Sequence, residues 1–481
     1  MSLLTLFSIC GFISMLFSAS LVVPVIVSLW YQDGELNHFL HPMLIIFTTG
    51  SILWLLSRKQ IYKLTTRDGF LIVVLLWVGL SMLAAIPLSL GTNLSYHNAI
   101  FEAVSAITTT GATVIVGLDE LPPSILFYRQ LLQWLGGMGM IVLAVAILPM
   151  LGIGGMQLYK AEAPGPFKEE KMTPRLAQSA RILWVIYVGI TIANALAYWL
   201  AGMSPFDAIA HSLSTVSTGG FSTHDDSLGY FNSTAIDIIA IVFMLLGAIN
   251  FGVHYMVIHN KNPLLYFKNN EVSGFLFFVV FIVFLVNYIL FSSGTYDSIS
   301  EGFRDSAFEV VSVVTSTGFG TVDFSHWPDF LPTLLIFISF VGGCGGSTAG
   351  GMKVMRIMLL IRQGWREIRL LIHPHAIIPM IIGGRRVENR TINTVWGFFA
   401  AYILTFVILM LMLMHTGVDQ ITAYSAIATC MNNMGPGLGE VAYNFSSISD
   451  TGKTISMVAM LMGRLEIFTV LVILTPEYWR G

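Results

Sequence analysis

Charge is scarce in this chain. Of its 481 residues only 11% are Asp, Glu, Lys or Arg, while 55% are hydrophobic; a soluble globular domain carries about 25% charged residues. The shortage excludes a soluble protein built on one large core and requires solvation by lipid. A net charge of −3 leaves no strongly basic face for nucleic acid. Cysteine is nearly missing. Cys10, Cys344 and Cys430 are odd in number, widely spaced and set in or beside apolar segments, which supports neither a disulfide framework nor a zinc site. No Lys or Arg precedes the first apolar run, MSLLTLFSICGFISMLF, so the basic region of a signal peptide is absent and the run is expected to stay as a first helix. Neither HExxH, a nucleophile elbow nor an intact P-loop occurs, so no enzyme motif is present and no cofactor is expected.

What the chain does have is long apolar segments. A helix needs about 20 apolar residues to cross a bilayer. Segments of that kind lie near Leu3–Leu29, Leu40–Leu56, Phe70–Leu90, Phe127–Leu151, Ile182–Leu200, Ile236–Ile258, Gly274–Phe291, Leu331–Ile361, Val395–Met414 and Ile455–Leu474. Four shorter ones, near Tyr96–Thr108, Pro205–Val216, Gly302–Val314 and Asp419–Cys430, have the length of re-entrant half-helices. All but Arg129, Arg304, Lys453 and Arg464 of the 24 basic residues fall on one side of this arrangement. They cluster at Arg58–Arg67, Lys160–Arg181, Lys261–Lys268 and Lys353–Arg390, with Arg480 at the end. By the positive-inside rule that side, with both termini, is cytoplasmic and the half-helices enter from outside.

The short segments are related to one another. FEAVSAITTTG, from Phe101 to Gly111, matches FEVVSVVTSTG, from Phe308 to Gly318, at 7 of 11 positions. The second segment ends VSTGGFS, aligned here with Ser217, Thr218 and Gly219 in register; the fourth ends CMNNMGPGLG, with Asn432, Asn433 and Met434 before Gly435. A unit of span, half-helix, glycine turn and span thus recurs. The expected fold is all-α and polytopic: two extra transmembrane helices in residues 1–68, then four M1–P–M2 repeats at 69–176, 177–270, 271–390 and 391–481, arranged around a pseudo-fourfold pore.

A half-helix that ends inside the membrane leaves its last carbonyls unpaired and its C-terminal end partly negative. Four such ends on one axis favour a cation. The extended turns that follow can offer backbone carbonyls in place of a hydration shell, and Thr315 to Gly320, TSTGFG, is similar to the TVGYG filter of potassium channels. The candidate ion-binding residues are Thr109, Thr110 and Gly111; Ser217, Thr218 and Gly219; Ser316, Thr317 and Gly318; and Asn433, Met434 and Gly435. Glu102 and Glu309 have two readings, an outer-vestibule charge or a buried anchor for the half-helix, and their place within the helix favours the anchor. Asp207 reads as a helix N-terminal residue. Asp119, Asp225, Asp226, Asp323 and Glu440 read as solvated loop acids on the outer side. His373-Pro374-His375 reads as a loop turn.

Gly342-Gly343-Cys344-Gly345-Gly346-Ser347-Thr348-Ala349-Gly350-Gly351 interrupts one span with six glycines in ten residues. Each glycine costs a helix about 1 kcal/mol relative to alanine, so a loop is expected at membrane depth, where it needs protein or a water-lined cavity around it. It is expected to act as a mobile gate below the filter, the alternative being a passive break in packing. Arg464, deep in the last span, is either a positive barrier beside that gate or half of a structural salt bridge with Glu466 or a carboxylate from another repeat.

TTTGAT, VSTGGFS, TSTGFG and NNMGPGLG, in this order and spacing, resemble the four filter loops of the Trk/Ktr/HKT superfamily. The two extra N-terminal spans, KEEKMTPR and GGCGGSTAGGMK are most similar to the bacterial TrkH-type membrane subunits. That resemblance implies potassium uptake across the inner membrane, since glycine at 111 rather than serine goes with potassium. It also implies a homodimer with one pore per protomer and a cytosolic TrkA-type ring of nucleotide-binding subunits that controls opening, for which Arg362 to Arg390 offer a docking surface. Potassium–proton or potassium–sodium symport is the alternative.

Overall fold

The computed structural model describes residues 3–57, 66–142, 172–328, 330–382 and 385–480. Arg58, Lys59, Lys63, Lys160, Lys168 and Lys171, and the end of the expected span at Phe127–Leu151, lie outside these residues. The described chain is helical, apart from a short pairing of Ile381–Ile382 with Arg385–Arg386. Among the described residues six helices are long and apolar enough to cross a membrane: Leu6–Tyr31, Leu36–Ser57, Arg67–Thr92, Ala180–Leu200, Asn270–Ser292 and Asn389–His415. Their surfaces explain the scarcity of charge. On Asn270–Ser292, Phe275, Val279, Val283, Val286 and Leu290 are buried in protein, whereas Phe277, Phe281, Phe284 and Tyr288 are exposed aromatics. A helix apolar all round is one that lipid covers on its outer side.

Two expected spans are sharply bent instead of continuous. Ile236–Ile258 is the pair Thr234–Ala248 and Phe251–Asn260, which meet at 101°; Ile455–Leu474 is Asp450–Arg464 and Ile467–Leu474, at 113°. At the first bend the Asn250 side chain caps the new helix by accepting from Gly252 N at 2.7 Å, and Phe251 N donates to Gly346 O at 3.1 Å. At the second, Glu466 has φ 62°. The glycine-rich span is broken as expected: one helix covers Leu331–Ser339, and the next begins at Val354 and runs to Ile372.

The N-terminal hairpin crosses closely because Gly11 and Gly50 face each other. A Cβ on either would sit 2.7–2.8 Å from the other's carbonyl oxygen. Asp33 in its turn fixes it to the rest, accepting from Ser28 Oγ at 2.5 Å and from Ser124 N at 3.0 Å.

Candidate functional site

The four half-helices are Tyr96–Ile107, Pro205–Val216, Ile299–Val314 and Gln420–Met431. Three start on a capping side chain: Ser95 accepts from Asn98 N, Ser204 from Asp207 N, and Asp419 from Ile421 N and Thr422 N, at 3.0–3.3 Å. Asp207 is thus a residue of the helix start, as its position suggested.

All four end alike. Thr110, Gly219, Thr317 and Met434 each donate from N to a carbonyl five residues back, on Ser105, Ser214, Ser312 and Thr429, at 2.8 Å. The preceding residues, Thr109, Thr218, Ser316 and Asn433, close a second bond three residues back at 3.0–3.2 Å. This pair of bonds is the Schellman motif, whose left-handed residue is usually glycine. Here it is Thr109, Thr218, Ser316 and Asn433, with φ of 54°, 51°, 54° and 52°. A left-handed conformation costs a residue with a Cβ about 1–2 kcal/mol.

Two residues further on φ is positive again, at Gly111, Gly220, Gly318 and Gly435 (83°, 82°, 80° and 96°). The second loop is therefore one residue out of the register expected from its sequence. Thr218, Gly219 and Gly220 match Thr109, Thr110 and Gly111, and Ser217 belongs to the helix end, where its hydroxyl donates to Leu213 O at 2.8 Å. The adjacent glycines Gly219 and Gly220 made either register legible.

These glycines close the four loops into a ring. A Cβ on Gly111 would lie 2.4 Å from Gly219 O, one on Gly220 2.0 Å from Thr317 O, one on Gly318 1.9 Å from Met434 O, and one on Gly435 2.6 Å from Thr110 O. Each loop thus abuts the carbonyl of the next, in the order one, two, three, four and back to one. The inner helices pack just behind. A Cβ on Gly136 would meet Ile107 O at 1.9 Å, on Gly247 Val216 O at 2.9 Å, and on Gly463 Met431 O at 2.1 Å. Sequence reading missed these three; their signal was a glycine within each of those second spans.

Anchors hold the ring from outside. Glu102 is fully buried and accepts from Arg129 Nε and Nη2 at 2.9 and 2.7 Å, from Val114 N at 3.0 Å and from Thr113 Oγ1 at 2.9 Å. Glu309, also buried, accepts from Thr321 N at 2.8 Å and Val322 N at 3.3 Å. Both are anchors and not vestibule charges. The corrected register places buried His211 at the equivalent position of the second repeat, 2.9 Å from Ser222 Oγ. On the helix Pro123–Val142, Gln133 donates to Gly219 O at 2.6 Å and accepts from Phe221 N at 3.1 Å. In the fourth repeat Ala426 stands there, and Ser425 Oγ accepts from Leu438 N at 2.8 Å instead. Removing one member of a buried ion pair costs about 3–5 kcal/mol. Glu102→Ala is therefore expected to lower the melting temperature of the purified protein markedly, and Glu102→Gln with Arg129→Gln to recover part of the loss; equal melting of parent and Glu102→Ala would refute the anchor.

Three of the loop acids on the half-helix entry side, Asp119, Asp225 and Asp323, bond to other loops and are not simply solvated, whereas Asp226 and Glu440 are exposed. Asp225 accepts from Gly117 N and Leu118 N at 3.1 and 2.9 Å, and Asp323 from Tyr443 OH at 2.6 Å. The hydrogen bond from His224, 2.5 Å away, holds the Asp119 carboxyl below its usual range. Burial opposes the charge on His224, but Asp207 and Asp119 outweigh it and raise its pKa.

Beneath the ring lies the loop 342–351. Gly345 N donates to buried Glu271 Oε1 at 2.6 Å, Cys344 N to Ala248 O at 2.9 Å and Gly350 N to Ser316 Oγ at 2.5 Å. Thr348 Oγ1 lies 3.0 Å from Val216 O and 2.9 Å from Gly247 O, and Lys353 Nζ donates to Ala349 O. The loop, part of repeat three, is thus bonded to repeat two and to the ring itself. Arg464 is buried and donates to Thr348 O at 2.8 Å and Gly136 O at 3.4 Å. Its expected carboxylate partner is engaged elsewhere: Glu466 pairs with Arg356 at 2.6 Å. His373-Pro374-His375 forms an exposed turn. Among the described residues no group of three or more His, Cys, Asp or Glu could hold a metal ion.

A family model described as TrkH, cation transport protein, matches residues 35–480. The Trk system potassium uptake protein TrkH of Vibrio parahaemolyticus is 51% identical over 477 residues, covering 98% of each chain. That of Escherichia coli K12 is 47% identical over 474 residues, again 98% of each. The crystal structure of the potassium transporter TrkH from Vibrio parahaemolyticus matches with a TM-score of 0.93 and 48% identity, over 100% of both chains.

Proposed function

The chain belongs to the TrkH family of cation transport proteins, and from that premise we propose that it takes up potassium through the ring of four loops. The observation that carries this reading is the closed circuit of glycine-to-carbonyl contacts from Gly111 through Gly220 and Gly318 to Gly435. It brings the carbonyls of Thr110, Gly219, Thr317 and Met434 together at the negative ends of four half-helices. Such oxygens replace the hydration shell of a monovalent cation, and the site needs no titratable group. The ring's oxygen set is Thr109, Thr110 and Gly111; Thr218, Gly219 and Gly220; Ser316, Thr317 and Gly318; and Asn433, Met434 and Gly435.

The loop at 342–351 and Arg464 form the gate on the cytoplasmic side, and the inside-negative potential drives entry at about 2.3 kcal/mol per charge per 100 mV. The basic helix Val354–Ile372 faces the cytoplasm and, through Arg362, Arg366 and Arg369, receives a cytosolic nucleotide-binding partner. The relatives' names place them in a Trk system, which fits a membrane subunit with companions. Two copies form a homodimer in the inner membrane, each with its own pore.

The test is uptake of rubidium and sodium into proteoliposomes, parent beside Gly318→Ser. The parent is expected to prefer rubidium. The serine Cβ would fall 1.9 Å from Met434 O, so the preference is expected to drop at least tenfold, about 1.4 kcal/mol. Equal uptake of both ions by the parent, or no effect of the serine, would defeat the filter reading.

A further inference from the structure

The four left-handed residues at the half-helix ends share one backbone conformation, so their side chains can be compared directly. Glycine is what the local turn favours there. All four positions instead carry an oxygen-bearing side chain: Thr109, Thr218, Ser316 and Asn433, each at most 1% exposed. The four oxygens divide into two kinds. Ser316 Oγ donates to Thr315 O at 2.7 Å and accepts from Gly350 N of the 342–351 loop at 2.5 Å. Thr218 Oγ1 donates to Ser217 O at 2.7 Å and lies 3.3 Å from Thr348 Oγ1 of the same loop. Thr109 Oγ1 and Asn433 Oδ1, by contrast, have no hydrogen-bond partner in the protein. Buried acceptors are normally paired, and a lone pair that accepts a loop N–H is not offered to a cation.

We propose that the loop and the transported cation compete for the inner-mouth oxygen of Ser316, so that withdrawal of the loop completes the lowest cation site of the ring. This rests on the reading of the ring as the potassium path. The ligand is a dehydrated monovalent cation, and the four side-chain oxygens of Thr109, Thr218, Ser316 and Asn433 are its site. The loop is then more than a plug: in its docked position it takes one of the four ligands, and opening and selectivity are linked through Ser316.

The experiment is basal rubidium uptake, without a cytosolic partner, by the full chain in proteoliposomes, with sodium uptake measured alongside. Ser316→Ala removes both a ligand and a tie to the loop; Thr109→Val removes a ligand alone. Ser316→Ala is expected to raise basal uptake at least threefold and Thr109→Val to lower it at least threefold, with the rubidium preference reduced in both. Thr348→Val removes the loop's hydrogen bonds to Val216 O and Gly247 O without altering any ring residue. It is expected to raise basal uptake with the rubidium preference kept, and it carries the test should Ser316→Ala fail to insert. Uptake by Ser316→Ala and Thr348→Val no higher than the parent's, while Gly318→Ser still loses rubidium preference, would overturn the competition and leave the ring reading standing. Loss of the Gly318→Ser effect would sink the ring reading itself.

Discussion

Alanine at Gly220 is expected to abolish rubidium uptake, while alanine at its neighbour Gly219 leaves a measurable fraction. The two glycines are adjacent in VSTGGFS but play different parts. Gly220 has φ 82°, and its Cβ would lie 2.0 Å from Thr317 O, a backbone atom of the next loop and one of the ring carbonyls. Backbone that is itself held by Schellman bonds cannot yield by an ångström without opening the ring. Gly219 has ordinary φ, and its Cβ would meet the Gln133 side-chain amide at 2.4–2.9 Å. A side chain can turn away. Turning costs Gln133 its bonds to Gly219 O and Phe221 N, each worth about 1 kcal/mol net, so uptake is expected to fall by roughly tenfold to thirtyfold. Equal loss at the two positions, or the reverse order, would contradict the register read from the backbone.

This register shows where sequence reading reaches and where it stops. The half-helices were legible almost to the residue: the expected Pro205–Val216 is the observed one, and Tyr96–Thr108 and Gly302–Val314 differ only at an end. Length and apolarity suffice for that. Ser-Thr-Gly-Gly, however, fits the TTG pattern of repeat one in two ways, and only torsion angles choose between them. The same slip hid His211, which falls opposite Glu102 and Glu309 only in the corrected register. The bends after Ala248 and before Ile467 were not legible because no proline or glycine run marks them. They follow from partners distant in sequence, such as Gly346 O for Phe251 N. The glycine-rich break at 342–351 was legible because its own composition forbids a helix. Arg464 was conspicuous as a charge in an apolar span, yet its partners, carbonyls at Thr348 and Gly136, carry no sequence signature at all.

Arg464→Ala is expected to raise basal rubidium uptake by about tenfold or more, for two separable reasons. The first is charge. Burial without a carboxylate partner leaves the guanidinium positive beneath the ring, since Glu466 is taken by Arg356. At an assumed separation of about 8 Å, a unit positive charge would cost a cation about 2 kcal/mol at an effective dielectric of 20, which is roughly thirtyfold in rate. The second is the hydrogen bond from Nη1 to Thr348 O at 2.8 Å, which holds the loop by the residue that also reaches Val216 O, Gly247 O and the Thr218 hydroxyl. Lysine and glutamine at 464 divide these contributions. Lysine keeps the charge but loses the planar two-pronged donor that spans Thr348 and Gly136; glutamine keeps an amide donor and loses the charge. A barrier made of charge predicts lysine close to the parent and glutamine close to alanine. A strut made of hydrogen bonds predicts glutamine nearer the parent and lysine nearer alanine. Uptake through the alanine variant no faster than through the parent would remove Arg464 from the proposed gate under either account, and with it the reason for a buried arginine without a carboxylate beneath the ring.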